Sequence, residues 1–372
     1  MRLVLDFETY YDKDYSLQKL YTWQYVRDTR FKVHGAAVKV DDEETQWLSN
    51  DAFTRFIDGI RDEHVELICQ NTYFDGLVLF THYGYVPTIY RDTLSMARAL
   101  LPHAESHGLD YLCSVLGIGE KIPETLGLTK GKRILPPKLF AQLGEYAKND
   151  VELTLGLWEK LSPGMPDDEL ALIDLTLRWG CCPALHVDLP RAEVALEAKI
   201  NEREQKIEAS GETLETLSSQ PKFVQALLDR GIEIPVKCNP KGKEIPALAK
   251  NDLAFRQMVA DYPEHRSLFA GRLAAKSTIE VTRIKRLIDI GSRGTLPMPL
   301  KFYGAHTGRW SGADGLNPQN FTRDSELRRS IIAPPGYVLL VADLAQIELR
   351  INMWFCLEDY WLGILREGGD IY

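Results

Sequence analysis

The chain opens on Leu3-Val4-Leu5-Asp6-Phe7-Glu8, and this run constrains the fold more than any other stretch. Apolar residues at 3, 4 and 5 read as a buried strand that begins almost as soon as the chain does. Asp6 and Glu8 follow two apart. On a strand, residues i and i+2 point to the same face, so both carboxylates leave it on one side. Two like charges held that close repel, and each loses solvation. A fold tolerates this when cations sit between them, and all-oxygen carboxylate clusters suit hard divalent ions such as Mg²⁺ or Mn²⁺. Taken alone, Asp-x-Glu is a common solvent-exposed strand ending, so its partners further along decide its meaning.

Residues 35–40 and 44–48 have the look of further strands, and residues 51–60 of a helix capped by Asn50 or Asp51. A short apolar strand at 65–69 runs into Gln70-Asn71-Thr72-Tyr73-Phe74-Asp75. Asp92-Thr93 opens a helix over 94–101, which Pro102 ends. The spacing of Leu143, Tyr146, Ala147, Val151 and Leu155 predicts a helix over 144–161, with Tyr146 and Asp150 stacked i to i+4 on one face. Strands followed by interleaved helices predict an α/β domain with a mixed sheet.

Three acidic sites therefore stand in order: Asp6-x-Glu8 on a first strand, Asn71-x-x-x-Asp75 after a later strand, and Tyr146-x-x-x-Asp150 on a closing helix. This pattern resembles the DEDD family of 3′–5′ exonucleases, in the version with a tyrosine in the last motif. The resemblance implies a ribonuclease-H-like domain and two-metal hydrolysis of a phosphodiester. Two Mg²⁺ or Mn²⁺ ions about 4 Å apart would activate water and stabilise the leaving 3′ oxygen. Asp6 would touch both metals, with Glu8, Asp75 and Asp150 completing the shells. Tyr146 would orient the attacking water, since a phenol with a pKa of about 10 is a poor base. Asn71 would hold the substrate strand or the local turn.

Pro163-Gly164-Met165-Pro166 is a breaker-rich boundary, which sets an exonuclease domain at 1–162. Helices at 191–209, 223–230, 250–260 and 268–290 predict a largely helical arm over 163–300. The net charge of −9 argues against a protein that coats nucleic acid over its whole surface. Between His265 and Arg309, however, nine basic residues face two acidic ones, the footprint of a polyanion contact. Six cysteines without C-x-x-C spacing read as reduced thiols, and no apolar run is long enough to span a membrane.

The last stretch, 301–372, carries Thr307-Gly308-Arg309, then Gln319-Asn320, then Val338-Leu339-Leu340-Val341-Ala342-Asp343-Leu344-Ala345-Gln346-Ile347-Glu348-Leu349-Arg350. It reads as a buried strand over 338–341 with an acidic residue opening a helix. This is similar to motif A of the family A DNA polymerases, with Leu344 and Ala345 where the family has Tyr and Ser. The resemblance implies an α+β palm, with Asp343 as one of two metal-holding palm carboxylates and Glu348 as the steric gate against a ribose 2′-OH. Arg309 would donate to minor-groove acceptors at the primer end, and Gln319, Asn320 and Arg350 belong to the same substrate-binding set.

The family's fingers motif and second palm motif do not follow Asp343, so the palm is expected to be incomplete and the chain unable to polymerise alone. The sequence thus reads as the N-terminal part of a phage or bacterial family A polymerase acting in the cytoplasm. It would bind a single-stranded 3′ end and a primer–template duplex, and a second polypeptide would complete it. The alternative is a stand-alone DEDD-type exonuclease on DNA or RNA with a non-catalytic polymerase-like platform. A non-enzymatic nucleic-acid clamp ranks last, because four metal-free carboxylates would repel phosphate.

Overall fold

The computed structural model describes residues 1–122, 126–239 and 242–371. Five strands form one mixed sheet: β1 (Arg2–Thr9), β2 (Val33–Val40), β3 (Gln46–Ser49), β4 (Glu66–Cys69) and β5 (Ile89–Asp92), in the order β3-β2-β1-β4-β5. The β1–β2 and β2–β3 pairs are antiparallel, while β4 and β5 run parallel to β1. The α/β expectation and its mixed sheet hold. The first strand is therefore central, which explains why its apolar residues are fully buried.

Helices α1 (Thr22–Val26), α2 (Asn50–Gly59), α3 (Thr72–Tyr83), α4 (Thr93–Leu100), α5 (Leu109–Leu116), α6 (Leu126–Thr129), α7 (Pro137–Leu161) and α8 (Asp167–Cys181) surround this sheet. The cap of α2 is neither Asn50 nor Asp51 but Ser49, whose hydroxyl accepts the Ala52 N–H. Strand periodicity divides β1 between two layers. Leu3, Leu5 and Phe7 enter the main core with Phe53, Leu77 and Tyr83. Val4 turns the other way and packs with Ala147, Val151 and Leu155 of α7. Asp6 and Glu8, in register with Val4, point to the α7 side.

Close approach of α7 needs two glycines. A Cβ on Gly35 of β2 would stand 2.5 Å from the Trp47 ring, and one on Gly144 of α7 would stand 2.4 Å from it. The indole of Trp47 thus fills the space that two side chains would otherwise take, and α7 settles onto the sheet.

Beyond α8 the chain is mainly helical: α9 (Leu189–Ala209), α10 (Leu214–Ser218), α11 (Gln220–Leu228), α12 (Leu253–Asp261), α13 (Arg266–Lys276), α14 (Ile279–Ser292) and α15 (Glu326–Arg329). Leu217, Phe223, Leu227, Phe255 and Phe269 form a second, smaller core. The single helix expected over 268–290 is two helices, α13 and α14. Ser277 leaves helical geometry and Thr278 follows it, a pair whose side chains favour helix ends over interiors. All six cysteines are unpaired thiols. Among the described residues no helix is long and apolar enough to cross a membrane.

Residues 333–372 form a separate compact unit from residues 1–332. It contains α16 (Ile347–Phe355) and α17 (Asp359–Arg366), which pack on each other. The buried strand expected at 338–341 is absent: these four residues have no regular secondary structure and are between 50% and 88% exposed. A strand needs a ladder, and among the described residues none pairs with this segment.

Candidate active site

The parallel partner β4 pairs with β1 only through Arg2, Leu3 and Val4. Beyond that point one side of β1 is open, and Asp75 of α3 fills part of it. Its Oδ1 accepts the Phe7 N–H at 3.2 Å, so a carboxylate stands where a neighbouring strand's carbonyl would otherwise be. Asp75 reaches this position because Asn71, in a left-handed conformation, turns the chain sharply from β4 into α3. Asn71 itself is exposed and lines a shallow cleft with Tyr73, Asp92, Ser95 and Arg98.

Asp150 and Tyr146 come from the buried face of α7. Glu8, Asp75 and Asp150 are all buried, at 7%, 3% and 6% exposure. Burial, then the Asp150 charge, pushes Asp6 up to about 7. Burial and the neighbouring Asp6 charge likewise hold Glu8 and Asp75 well above the usual carboxylate range. Burial also raises Asp150, against the opposing pull of Lys121. The structure thus brings Asp6, Glu8, Asp75 and Asp150 within electrostatic reach of one another, from three elements distant in sequence. Burial raises the Tyr146 phenol too, so it stays protonated at neutral pH.

Among the described residues no group of three His, Cys, Asp or Glu side chains is drawn together closely enough to hold a metal ion. The cation beside the cluster is Lys121, whose Nζ lies 2.8 Å from Asp150 Oδ2 and 4.9 Å from the centre of the Tyr146 ring. Sequence reasoning missed Lys121, since a lysine in a loop 29 residues before Asp150 carries no readable spacing. The other Asp150 oxygen, Oδ1, is buried with no hydrogen-bond partner. An orphaned carboxylate oxygen within an all-oxygen, mutually repelling donor set fits divalent metal.

Residues 24–166 match the sequence profile of the 3′–5′ exonuclease domain of A-type DNA polymerases. The match to the exonuclease domain takes in Asp75, Tyr146 and Asp150 and starts after Asp6 and Glu8. The chain is also similar to DNA polymerase I of Pseudomonas aeruginosa, 29% identical over 258 residues, which are 62% of this chain and 27% of that protein. It therefore spans about a quarter of that relative's length. A solved structure, the POL domain of Pol1 from M. smegmatis in complex with DNA primer-template and dNTP, shares the fold at a TM-score of 0.60 and 18% identity. The likeness covers 94% of this chain and 58% of that one.

The other expected site residues fall after residue 300 in the sequence. Arg309 is exposed in a turn closed by the Ala305 N–H to the Arg309 carbonyl at 3.1 Å. Gln319 and Asn320 end a short 3₁₀ turn, where the Asn320 carbonyl accepts from Arg283. The basic stripe is partly consumed by the fold. Arg272 is buried against Leu217 and Phe223, Arg286 bonds Gly315 and Tyr21, and Arg293 pairs with Asp289. Lys276, Lys285, Lys301 and Arg309 keep exposed positions. Within residues 333–372, Asp343 is exposed in a segment without regular structure, and Glu348 stands in the first turn of α16. Arg350 folds back onto the Ala345 and Leu365 carbonyls.

Proposed function

We propose that this chain carries a two-metal 3′–5′ exonuclease that removes nucleotides from the 3′ end of DNA, as the proofreading part of a family A polymerase. The convergence of four carboxylates, Asp6, Glu8, Asp75 and Asp150, on the α7 side of one central strand carries the reading. These residues would hold two Mg²⁺ or Mn²⁺ ions, which supply charge neutralisation and an activated water. Tyr146, protonated and one turn before Asp150, would orient that water, and Asn71 would position the incoming strand.

The division into an exonuclease domain at 1–162, a helical connector and thumb at 163–300 and a palm segment from 301 is part of this proposal. So are primer–template binding by Arg309, Gln319 and Asn320, and the assignment of Asp343, Glu348 and Arg350 to a polymerase site. The exposed cations of the basic stripe support duplex binding through phosphate contacts. A cytoplasmic setting is part of the same proposal, supported by the likeness to a bacterial DNA polymerase I.

The test uses 5′-labelled single-stranded DNA with Mg²⁺ or Mn²⁺, beside Asp6→Ala and an EDTA control. A ladder shortening from the 3′ end, dependent on metal and absent in the variant, is the expected result. Undiminished cleavage by a folded Asp6→Ala protein would overturn the assignment.

A further inference from the structure

The geometry points to Lys121 as a positioning residue that competes with a divalent cation for Asp150; the inference rests on the two-metal reading above. Lys121 follows α5, and the next residue is held to α7 beside the site: the Ile122 N–H donates to Asn149 Oδ1 at 3.0 Å, one residue before Asp150. The ammonium is therefore delivered from a tethered backbone, not from a free loop tip. Its Nζ lies 2.8 Å from Asp150 Oδ2, with the Lys121 side chain 26% and the Asp150 side chain 9% exposed. The same ammonium lies 4.9 Å from the centre of the Tyr146 ring. One cation thereby fixes both functional residues of α7 relative to each other.

A divalent ion on Asp150 meets this lysine directly. A Mg²⁺–carboxylate bond is about 2.1 Å long, so a metal on either Asp150 oxygen would stand only a few ångströms from the ammonium and be repelled by it. The ammonium meets Asp150 through Oδ2. It satisfies Asp150 Oδ2 and leaves Oδ1 without a partner. Binding of the Asp150-side metal thus requires Lys121 to withdraw, and its long stem from a part-exposed position lets it do so. An ion that takes Asp150 as a ligand is therefore bound more weakly than it would be without Lys121. Until such an ion binds, Lys121 keeps Asp150 and Tyr146 oriented.

The experiment measures Mn²⁺ binding to the full chain by the loss of the free-ion paramagnetic resonance signal, for the parent, Lys121→Met and Lys121→Arg, alongside nuclease assays on each. Circular dichroism and melting curves establish that each protein is folded. Lys121→Met is expected to tighten Mn²⁺ binding by about tenfold over the parent and to lower the Mn²⁺ concentration for half-maximal cleavage. Lys121→Arg, which keeps the charge, should remain near the parent. Unchanged Mn²⁺ affinity in folded Lys121→Met, with an active parent, reduces Lys121 to a surface ion pair and overturns this inference alone. Weaker binding in Lys121→Met also overturns it, by making the lysine a support of the metal site. A parent that neither binds Mn²⁺ nor cleaves DNA brings down the exonuclease reading itself, and this inference with it.

Discussion

Replacing Asp6 by Asn is expected to stabilise the metal-free protein while abolishing its nuclease activity. Asp6 is held up at about 7, from an ordinary value of 3.8, by burial and by the Asp150 charge. Below pH 3.8 the group is protonated in both folded and unfolded chains and contributes nothing. Between 3.8 and about 7 the unfolded chain releases the proton and the folded one keeps it, so stability falls as pH rises. Above about 7 the full penalty persists. That interval corresponds to about 4 kcal/mol at roughly 1.4 kcal/mol per pH unit. Asn keeps the shape and removes the charge but still has to bury an amide, so the net gain is set on the order of 2 to 4 kcal/mol at pH 8. At pH 5 it should shrink to roughly a third. Urea denaturation in EDTA, followed by tryptophan fluorescence, measures both values; Trp47 packs against α7 and reports on the right layer. Millimolar Mg²⁺ should then stabilise the parent and not the variant, narrowing or reversing the order. An Asn variant no more stable than the parent at pH 8, or a gain equal at both pH values, would refute the claim that these carboxylates strain the fold.

Three further substitutions test other parts of the argument. Tyr146→Phe should slow cleavage by about a hundredfold while leaving Mn²⁺ affinity unchanged, as binding isotherms and single-turnover rates on labelled DNA would show. Gly144→Val drives a side chain into Trp47 and should cost on the order of 1 to 3 kcal/mol, displacing α7 and lowering nuclease activity; urea denaturation beside the cleavage assay checks it. Asp314 accepts the Thr22 and Trp23 N–H groups and the Tyr73 hydroxyl, so Asp314→Ala should destabilise the chain by about 1 to 2 kcal/mol, read as a lowered urea midpoint at unchanged Mn²⁺ affinity.

What the sequence made legible follows from periodicity. Three apolar residues before Asp6 announced a buried strand, and the i+2 spacing of Asp6 and Glu8 placed them on one face. The i+4 spacing of Tyr146 and Asp150 did the same on a helix. The chain hid what depends on tertiary approach. Nothing in the sequence shows that β4 stops pairing at Val4 and that Asp75 takes the Phe7 N–H instead. Lys121 reaches Asp150 beside Ile122, whose N–H is held by Asn149, a tertiary contact that no repeating pattern announces. The misread stretch at 338–341 has the composition of a strand, but a strand is a property of pairs, and composition alone supplies no partner.

The carboxylate cluster and the packing around it form one device. Four acidic groups that repel one another stay assembled only because the surrounding structure leaves them little room to part. Val4, Ala147 and Val151 lock the helix to the strand directly beneath Asp6 and Glu8, and Trp47 fixes the distance through two glycines. The Phe7 N–H ties down Asp75. Local repulsion at the site is thus offset by burial nearby, a distribution in which function draws on stability. A cation relieves that repulsion whether it is a metal or an ammonium, which is why one lysine brought to Asp150 can set the terms on which metal enters.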